Sequence, residues 1–234
     1  MERKSYREKN SYREYAVKLA ELVFGLFLFA VGSYLTVQAN IGLSPWWAFD
    51  MGLSKASGID YGIVHNAVAL AIIAIDLLLR EKIGWGTVGD ALLIGGFVSL
   101  FNRFELVPLM QSLPAGILCM LLGLLIVAVG SYFYMDAAFG CGPRDALMVA
   151  LCRMLPKLPV GVVRILLEGS ALLIGWLLGA KVGIGTVISV FGIGVFVELV
   201  FRLFRFDPTR VKHENLIDTA KNLARISRER KNSR

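Results

Sequence analysis

The chain has 234 residues, 56% of them apolar and 18% charged, with a formal net charge of +7 and a mean hydropathy of +0.64. A soluble domain of this size carries nearer a quarter of its residues charged, so the composition excludes an ordinary soluble globule and points to a polytopic membrane protein. The basic excess is explained by flanks of membrane spans and by anionic headgroups, so nucleic acid is not expected as a partner.

Charge gathers at the ends, where the first 18 and last 30 residues hold 15 of the 25 Lys and Arg. Residues 1–15 form a charged lead containing Arg3, Lys4, Arg7, Lys9 and Arg13, expected on the cytoplasmic side. The first apolar run, 16–37, is of full span length with no small-residue cleavage site behind it, so it reads as a span and not a signal peptide. A short helix follows, from Ser44-Pro45-Trp46-Trp47 to Ser57. Its length is that of a re-entrant or interfacial segment. Spans two and three are expected at 61–79 and 85–101, completing a first membrane unit over 16–101. After a linker at 102–114, a second unit over 115–204 repeats the layout. Span four is expected at 115–134, a short helix at 143–155, span five at 160–178 and span six at 184–204. The tail, 205–234, is basic and expected to be cytoplasmic. Its Leu216, Ala220, Leu223 and Ser227 share a helical face suited to the membrane surface.

The two units are copies. Gly32-Ser33-Tyr34, Gly42, Pro45, Gly84, Gly86-Thr87-Val88 and Phe97-Val98 recur as Gly130-Ser131-Tyr132, Gly140, Pro143, Gly183, Gly185-Thr186-Val187 and Phe196-Val197. With both termini inside, the inside segments carry Arg80, Lys82, Arg144, Arg153, Lys157 and the basic tail, against Lys55, Arg103 and Lys181 outside. That inside excess favours six spans, with the short helices not crossing. Three spans per copy is an odd number, so the copies insert in opposite directions. The expected fold is an all-α membrane protein of six transmembrane helices, arranged as two inverted three-helix repeats, each with a short re-entrant or interfacial helix.

Charges within spans are costly and should face protein or water. Arg164 and Glu168 stand four apart and can pair. Arg144 and Asp145 open the second short helix, and His65 and Asp50 come from the first copy. Together these six residues either line a polar substrate-binding or ion-coupling cavity at the repeat interface or form a structural ion network. Asp76, Asp90, Asp136 and Arg202, near span ends, are expected to be solvated or to face headgroups. Ser44 and Gly142 precede the short helices, whose N-terminal N–H groups suit an anion, though a simple turn explains them as well. Trp46, Trp47 and Trp85 fit an interfacial belt. Cys119, Cys141 and Cys152 have no metal-ligand spacing and read as packing residues, so no metal and no cofactor are expected.

These residues resemble the YczE/YitT-type family of bacterial integral membrane proteins. The likeness is carried by Ile41-Gly42-Leu43-Ser44-Pro45-Trp46, Gly140-Cys141-Gly142-Pro143-Arg144-Asp145-Ala146-Leu147, Val163-Arg164-Ile165-Leu166-Leu167-Glu168 and Gly175-Trp176-Leu177-Leu178-Gly179 through Gly183-Ile184-Gly185-Thr186. It covers about residues 20–200 and implies a multi-pass cell-membrane protein, without naming a substrate. Trp47 and Phe49-Asp50 depart from the pattern, which more often has an acid soon after the Trp.

The function expected is a permease or secondary transporter of a small, anionic solute, with both termini cytoplasmic. The alternative is a non-transporting scaffold or regulatory partner acting through the basic tail. HExxH, Gly-x-Ser-x-Gly and paired His are missing from the sequence, so an enzyme is not expected. The partners expected are the lipid bilayer and a small-molecule substrate, with a homodimer or a partner subunit left open.

Overall fold

Apolar runs punctuated by Gly and Pro set the architecture, and a computed structural model describes it for residues 12–42 and 44–232. Arg3, Lys4, Arg7 and Lys9 of the charged lead, and Leu43, lie outside the described residues. Among the described residues every regular element is helical. In order they are α1 (Tyr12–Gln38), α2 (Pro45–Ser57), α3 (Tyr61–Leu78), α4 (Trp85–Gly89), a π-helical turn (Asp90–Ile94) and α5 (Gly95–Arg103). Then come α6 (Leu113–Asp136), α7 (Pro143–Met154), α8 (Val160–Leu177), α9 (Ile184–Leu203), a 3-10 turn (Pro208–Arg210) and α10 (Leu216–Asn232).

Four helices are long and apolar enough to cross a membrane: Arg13–Gln38 of α1, then α6, α8 and α9. Ile63–Leu78 of α3 is a shorter apolar helix. The segment expected as span three is continuous from Trp85 to Arg103 but interrupted by the π turn at Asp90. Pro45 and Pro143 sit in the first turns of α2 and α7, where a missing N–H costs nothing.

Small residues bring the backbones together. The most extensive packing is α1 on α6. A Cβ on Gly123 would lie 2.8 Å from the Gly32 carbonyl oxygen, and one on Gly130 2.8 Å from that of Gly25. Such close approach maximises dispersion where lipid offers no hydrophobic drive. The short helix α2 packs on α8, in the second half of the chain, and the short helix α7 packs on α3, in the first. Backbone bonds follow the same exchange: Gly86 N–H donates to the Phe139 carbonyl at 2.8 Å, and Gly185 N–H to that of Ile41 at 3.0 Å. Large apolar side chains such as Leu70, Leu92, Leu118, Leu173 and Leu199 remain exposed on the outer surface, as a lipid-facing shell requires.

Contacts sort the connections into two ends. At one, Gln38 and Asn40 bond the carbonyls of Val107 and Met110, and Lys55 Nζ donates to Gly179 O at 3.1 Å. At the other, Arg153 pairs with Glu81 at 2.8 Å and the tail folds back onto the body. There Glu214 N–H donates to Ala138 O and Leu216 N–H to Ile83 O. The Tyr15 hydroxyl is 2.9 Å from both Glu214 carboxylate oxygens. Ala138, with φ 65°, and Gly140, with φ 96°, make the turn that receives the tail. His213 is buried, its Nδ1 accepting from Gly140 N–H and its Nε2 3.3 Å from Cys141 Sγ.

The start of the tail is docked, with His213, Glu214 and Thr219 buried against this end. Two expectations are corrected. Asp76, expected at a solvated span end, is buried. Trp46, expected as an interfacial anchor, is also buried, whereas Trp47 and Trp85 are exposed. In each case tertiary contact overrides position along the span.

Candidate functional site

The two short helices carry charge into the junction between the halves. Asp50, on α2, is fully buried. Its Oδ2 is 2.7 Å from His65 Nδ1 on α3 and 3.7 Å from Arg144 Nη2 on α7. Its Oδ1 has no hydrogen-bond partner. The Arg144 guanidinium lies 5.0 Å from the centre of the Trp46 ring, so Trp46 is a stacking platform and not an anchor.

The next residue of α7, Asp145, joins Arg164 of α8 through Oδ1 and accepts from the Tyr134 hydroxyl of α6 through Oδ2. Arg164 Nε is 3.1 Å from Glu168 Oε1 but lacks hydrogen-bond geometry, and the Met148 sulfur takes a further Nη1 contact. Asp145, Arg164 and Glu168 are all under 7% exposed. Trp46 Nε1 approaches Glu168, again without a formed bond. The side chains of Arg144 and His65 are 30% and 39% exposed, so the cluster opens outward through these two.

All six residues expected from sequence are thus brought together, and Asp50 is the most buried of them. The two helix starts behave differently from expectation. Ser44 occupies the cap position of α2 with extended backbone, but its side chain makes no cap bond. At Gly142 the start of α7 faces the chain's own Asp90, since a Cβ on Gly142 would lie 2.6–2.7 Å from the Asp90 carboxylate oxygens. Asp90 was expected to be solvated. The π turn on which it sits instead carries it inward against α7, a geometry frequent at functional sites.

Asp90 and Tyr134 were missed, yet a signal existed. Their counterparts in the other copy are Ser189 and Thr36, the same chemical inequality that singled out Arg164 against His65. Thr87, by contrast, does what its position suggests: it accepts from Gly84 N–H at 3.2 Å and donates to Cys141 O at 2.7 Å. An apolar groove lined by Gly169, Leu172, Leu173, Trp176 and Val182 contains none of the clustered residues. Among the described residues no three His, Cys, Asp or Glu converge as a metal site requires.

Comparison with known proteins places this arrangement in a family. Residues 16–202 match a family described as a family of unknown function, DUF6198. The chain is 31% identical over 182 residues to an uncharacterised protein of Haemophilus influenzae, covering 78% of this chain and 82% of that one. It is 30% identical over 169 residues to the uncharacterised membrane protein YczE of Bacillus subtilis, covering 70% and 76%. To the uncharacterised protein YyaS of Bacillus subtilis it is 28% identical over 173 residues, covering 71% and 83%. No solved structure matches. The family match holds the whole charged cluster and leaves the docked tail outside. The chain belongs to the DUF6198 family and is a YczE-like bacterial membrane protein.

Proposed function

We propose that this protein is a permease of the cell membrane, carrying a small charged solute between two inverted three-helix units. The observation that carries the reading is the ion cluster, buried at the junction and assembled from both halves of the chain. Intramembrane charge is retained at a cost of about 2.5–3.5 kcal/mol per residue on insertion scales, and as a rule marks a solute or ion pathway. The reciprocal bonds of Gly86 to Phe139 and Gly185 to Ile41 support the inverted duplication, because each residue and its partner exchange places between the copies. The segregation of Tyr15, Lys82, Arg153 and Glu214 to one end supports six spans with both termini cytoplasmic.

In this reading α2 and α7 are the short helices that aim at the solute, and no covalent chemistry is involved. The anionic solute expected from the helix starts has Asp90 as a competitor at Gly142, so the cluster rather than the helix dipole sets the sign of the cargo. Energy comes from an ion gradient or a partner subunit.

Uptake into proteoliposomes across a panel of small anions, cations and zwitterions tests this. A solute taken up by the wild type and lost in both Arg164→Ala and Glu168→Gln, with insertion intact, is the expected result. Unchanged uptake in both variants removes the cluster from the pathway. A second reading, regulation of a partner through the tail, is favoured by one observation: beyond its docked start, α10 presents Lys221, Arg225 and Arg228 to the outside. Deleting residues 220–234 separates the two, since uptake survives that deletion if the tail only recruits.

A further inference from the structure

We propose that Trp46, Asp50 and Glu168 form a binding site for a small organic cation of the guanidinium or alkylammonium class, and that the Arg144 side chain occupies it as an internal stand-in. This deepens the permease reading and rests on it only for the cation being cargo.

The cradle has the parts that recognise such a cation. The Trp46 ring offers a π face, over which a guanidinium already lies at 5.0 Å. The Asp50 carboxylate flanks that guanidinium at 3.7 Å. Glu168, paired with Arg164 Nε at 3.1 Å, lies close enough for the Arg144 charge to act on it as well. A delocalised cation is weakly hydrated and tolerates such a partly desolvated place better than a compact one.

One acceptor of the cradle has capacity left over. Asp50 Oδ1 is buried with no hydrogen-bond partner. Buried polar atoms are ordinarily satisfied, so each unmet one calls for an explanation. Asp50 Oδ1 is an acceptor that the Arg144 head does not fill, and a free cation unconstrained by the α7 backbone can reach both oxygens.

Charge balance points the same way. The carboxyl groups of Asp50, Asp145 and Glu168 outnumber the guanidiniums of Arg144 and Arg164 that they pair with, and His65 is bonded to Asp50. Arg164 is locked between Asp145 and Glu168 and buried, whereas the Arg144 side chain is 30% exposed. Arg144 is therefore the basic group able to leave. Its departure removes one positive charge from an acid-rich cluster, which a cation restores and an anion worsens.

The test uses the full chain in lipid nanodiscs, with methylguanidinium as probe, methylurea as its neutral isostere and acetate as an anion. Tryptophan fluorescence and thermal unfolding are followed as each is added. Methylguanidinium is expected to bind the wild type saturably and Arg144→Ala about tenfold more tightly, because the tethered competitor no longer fills the site. Trp46→Phe abolishes the fluorescence response and Asp50→Asn abolishes binding, while methylurea and acetate have no saturable effect. Acetate or methylurea acting as well as methylguanidinium, or binding unaltered in Asp50→Asn, overturns the proposal. If Arg144→Ala does not fold, the wild type against Asp50→Asn decides, and no saturable response in folded wild type overturns it too. Cation binding without uptake of any solute removes the permease and leaves the site. Uptake without cation binding does the reverse.

Discussion

Arg144 lays its guanidinium over the ring of Trp46, 5.0 Å from the centroid, and the two residues hold the same place in the two copies. Each directly follows the proline that opens its short helix, Pro45 or Pro143. Equivalent residues of a duplicated chain touch only next to the axis that relates the copies. The contact therefore marks where such an axis would run, beside Asp50 and Glu168.

Removing Arg164 tests the buried network. Arg164→Ala leaves Asp145 and Glu168 buried without their cation, which costs about 3–5 kcal/mol when a buried pair is broken. Thermal unfolding in detergent should show a marked loss, and Arg164→Met combined with Asp145→Asn and Glu168→Gln should recover much of it. A single variant as stable as the wild type would contradict the network.

The reciprocal backbone bonds predict matched sensitivity. An alanine Cβ at Gly86 would run into the Gly140 carbonyl, and one at Gly185 would meet Ile41 Cγ1 at 2.6 Å. Gly86→Ala and Gly185→Ala should each lose about 1–3 kcal/mol through overpacking. If one is harmless and the other severe, the two junctions are not equivalent.

Gly142 and Asp90 should be coupled. Gly142→Ala forces the Asp90 carboxylate away from the start of α7, whereas in an Asp90→Ala background the same change meets less resistance. A double-mutant cycle on unfolding should give an interaction of about 1 kcal/mol or more. Additive effects would mean that the carboxylate and the helix start do not act on each other.

Helix limits were legible where Pro or Gly brackets an apolar run: α7 and α8 begin at Pro143 and Val160, where the spacing puts them. The pairing of Arg164 with Glu168 was legible for a similar local reason, four residues on one helix. What was hidden depended on depth rather than order. Asp90 reads as a span-end acid in one dimension, and only the π turn, which no local residue pattern announces, carries it against Gly142. Trp46 reads as a belt residue because its role is set by Arg144, 98 positions away. His213 and Glu214 look like two polar tail residues. Their burial comes from the left-handed turn at Ala138, whose carbonyl receives the Glu214 N–H.

Tail docking should depend on pH. Burial, reinforced by the charges of Arg153 and Lys82, lowers His213 from its ordinary value to about 4. An undocked His, titrating near about 6.5, binds its proton first. Docking is therefore complete above about pH 6.5 and weakens as pH falls toward 4. Gly140 N–H, Cys141 and Glu214 face or adjoin the ring. Glu81, which burial raises against the pull of Arg153, titrates nearby, so the comparison belongs in a Glu81→Gln background. Protease cleavage within 211–216 should rise on acidification in that protein and lose this pH dependence in His213→Phe. Equal protection at pH 7 and pH 4.5 would contradict a buried neutral His213.

Cysteine accessibility tests the opposed insertion of the two halves most directly. Lys55, Arg103 and Lys181, which the six-span reading puts on one side, and Lys82, Lys157 and Lys212, which it puts on the other, are exposed and can each be replaced singly by cysteine. Cys119, Cys141 and Cys152 are free thiols and are first changed to alanine. An impermeant maleimide added to intact cells should label Lys55→Cys, Arg103→Cys and Lys181→Cys. Lys82→Cys, Lys157→Cys and Lys212→Cys should react only after permeabilisation. Labelling of Lys55→Cys and Lys82→Cys from the same side, or of Arg103→Cys and Lys157→Cys from the same side, would contradict two inverted three-span units.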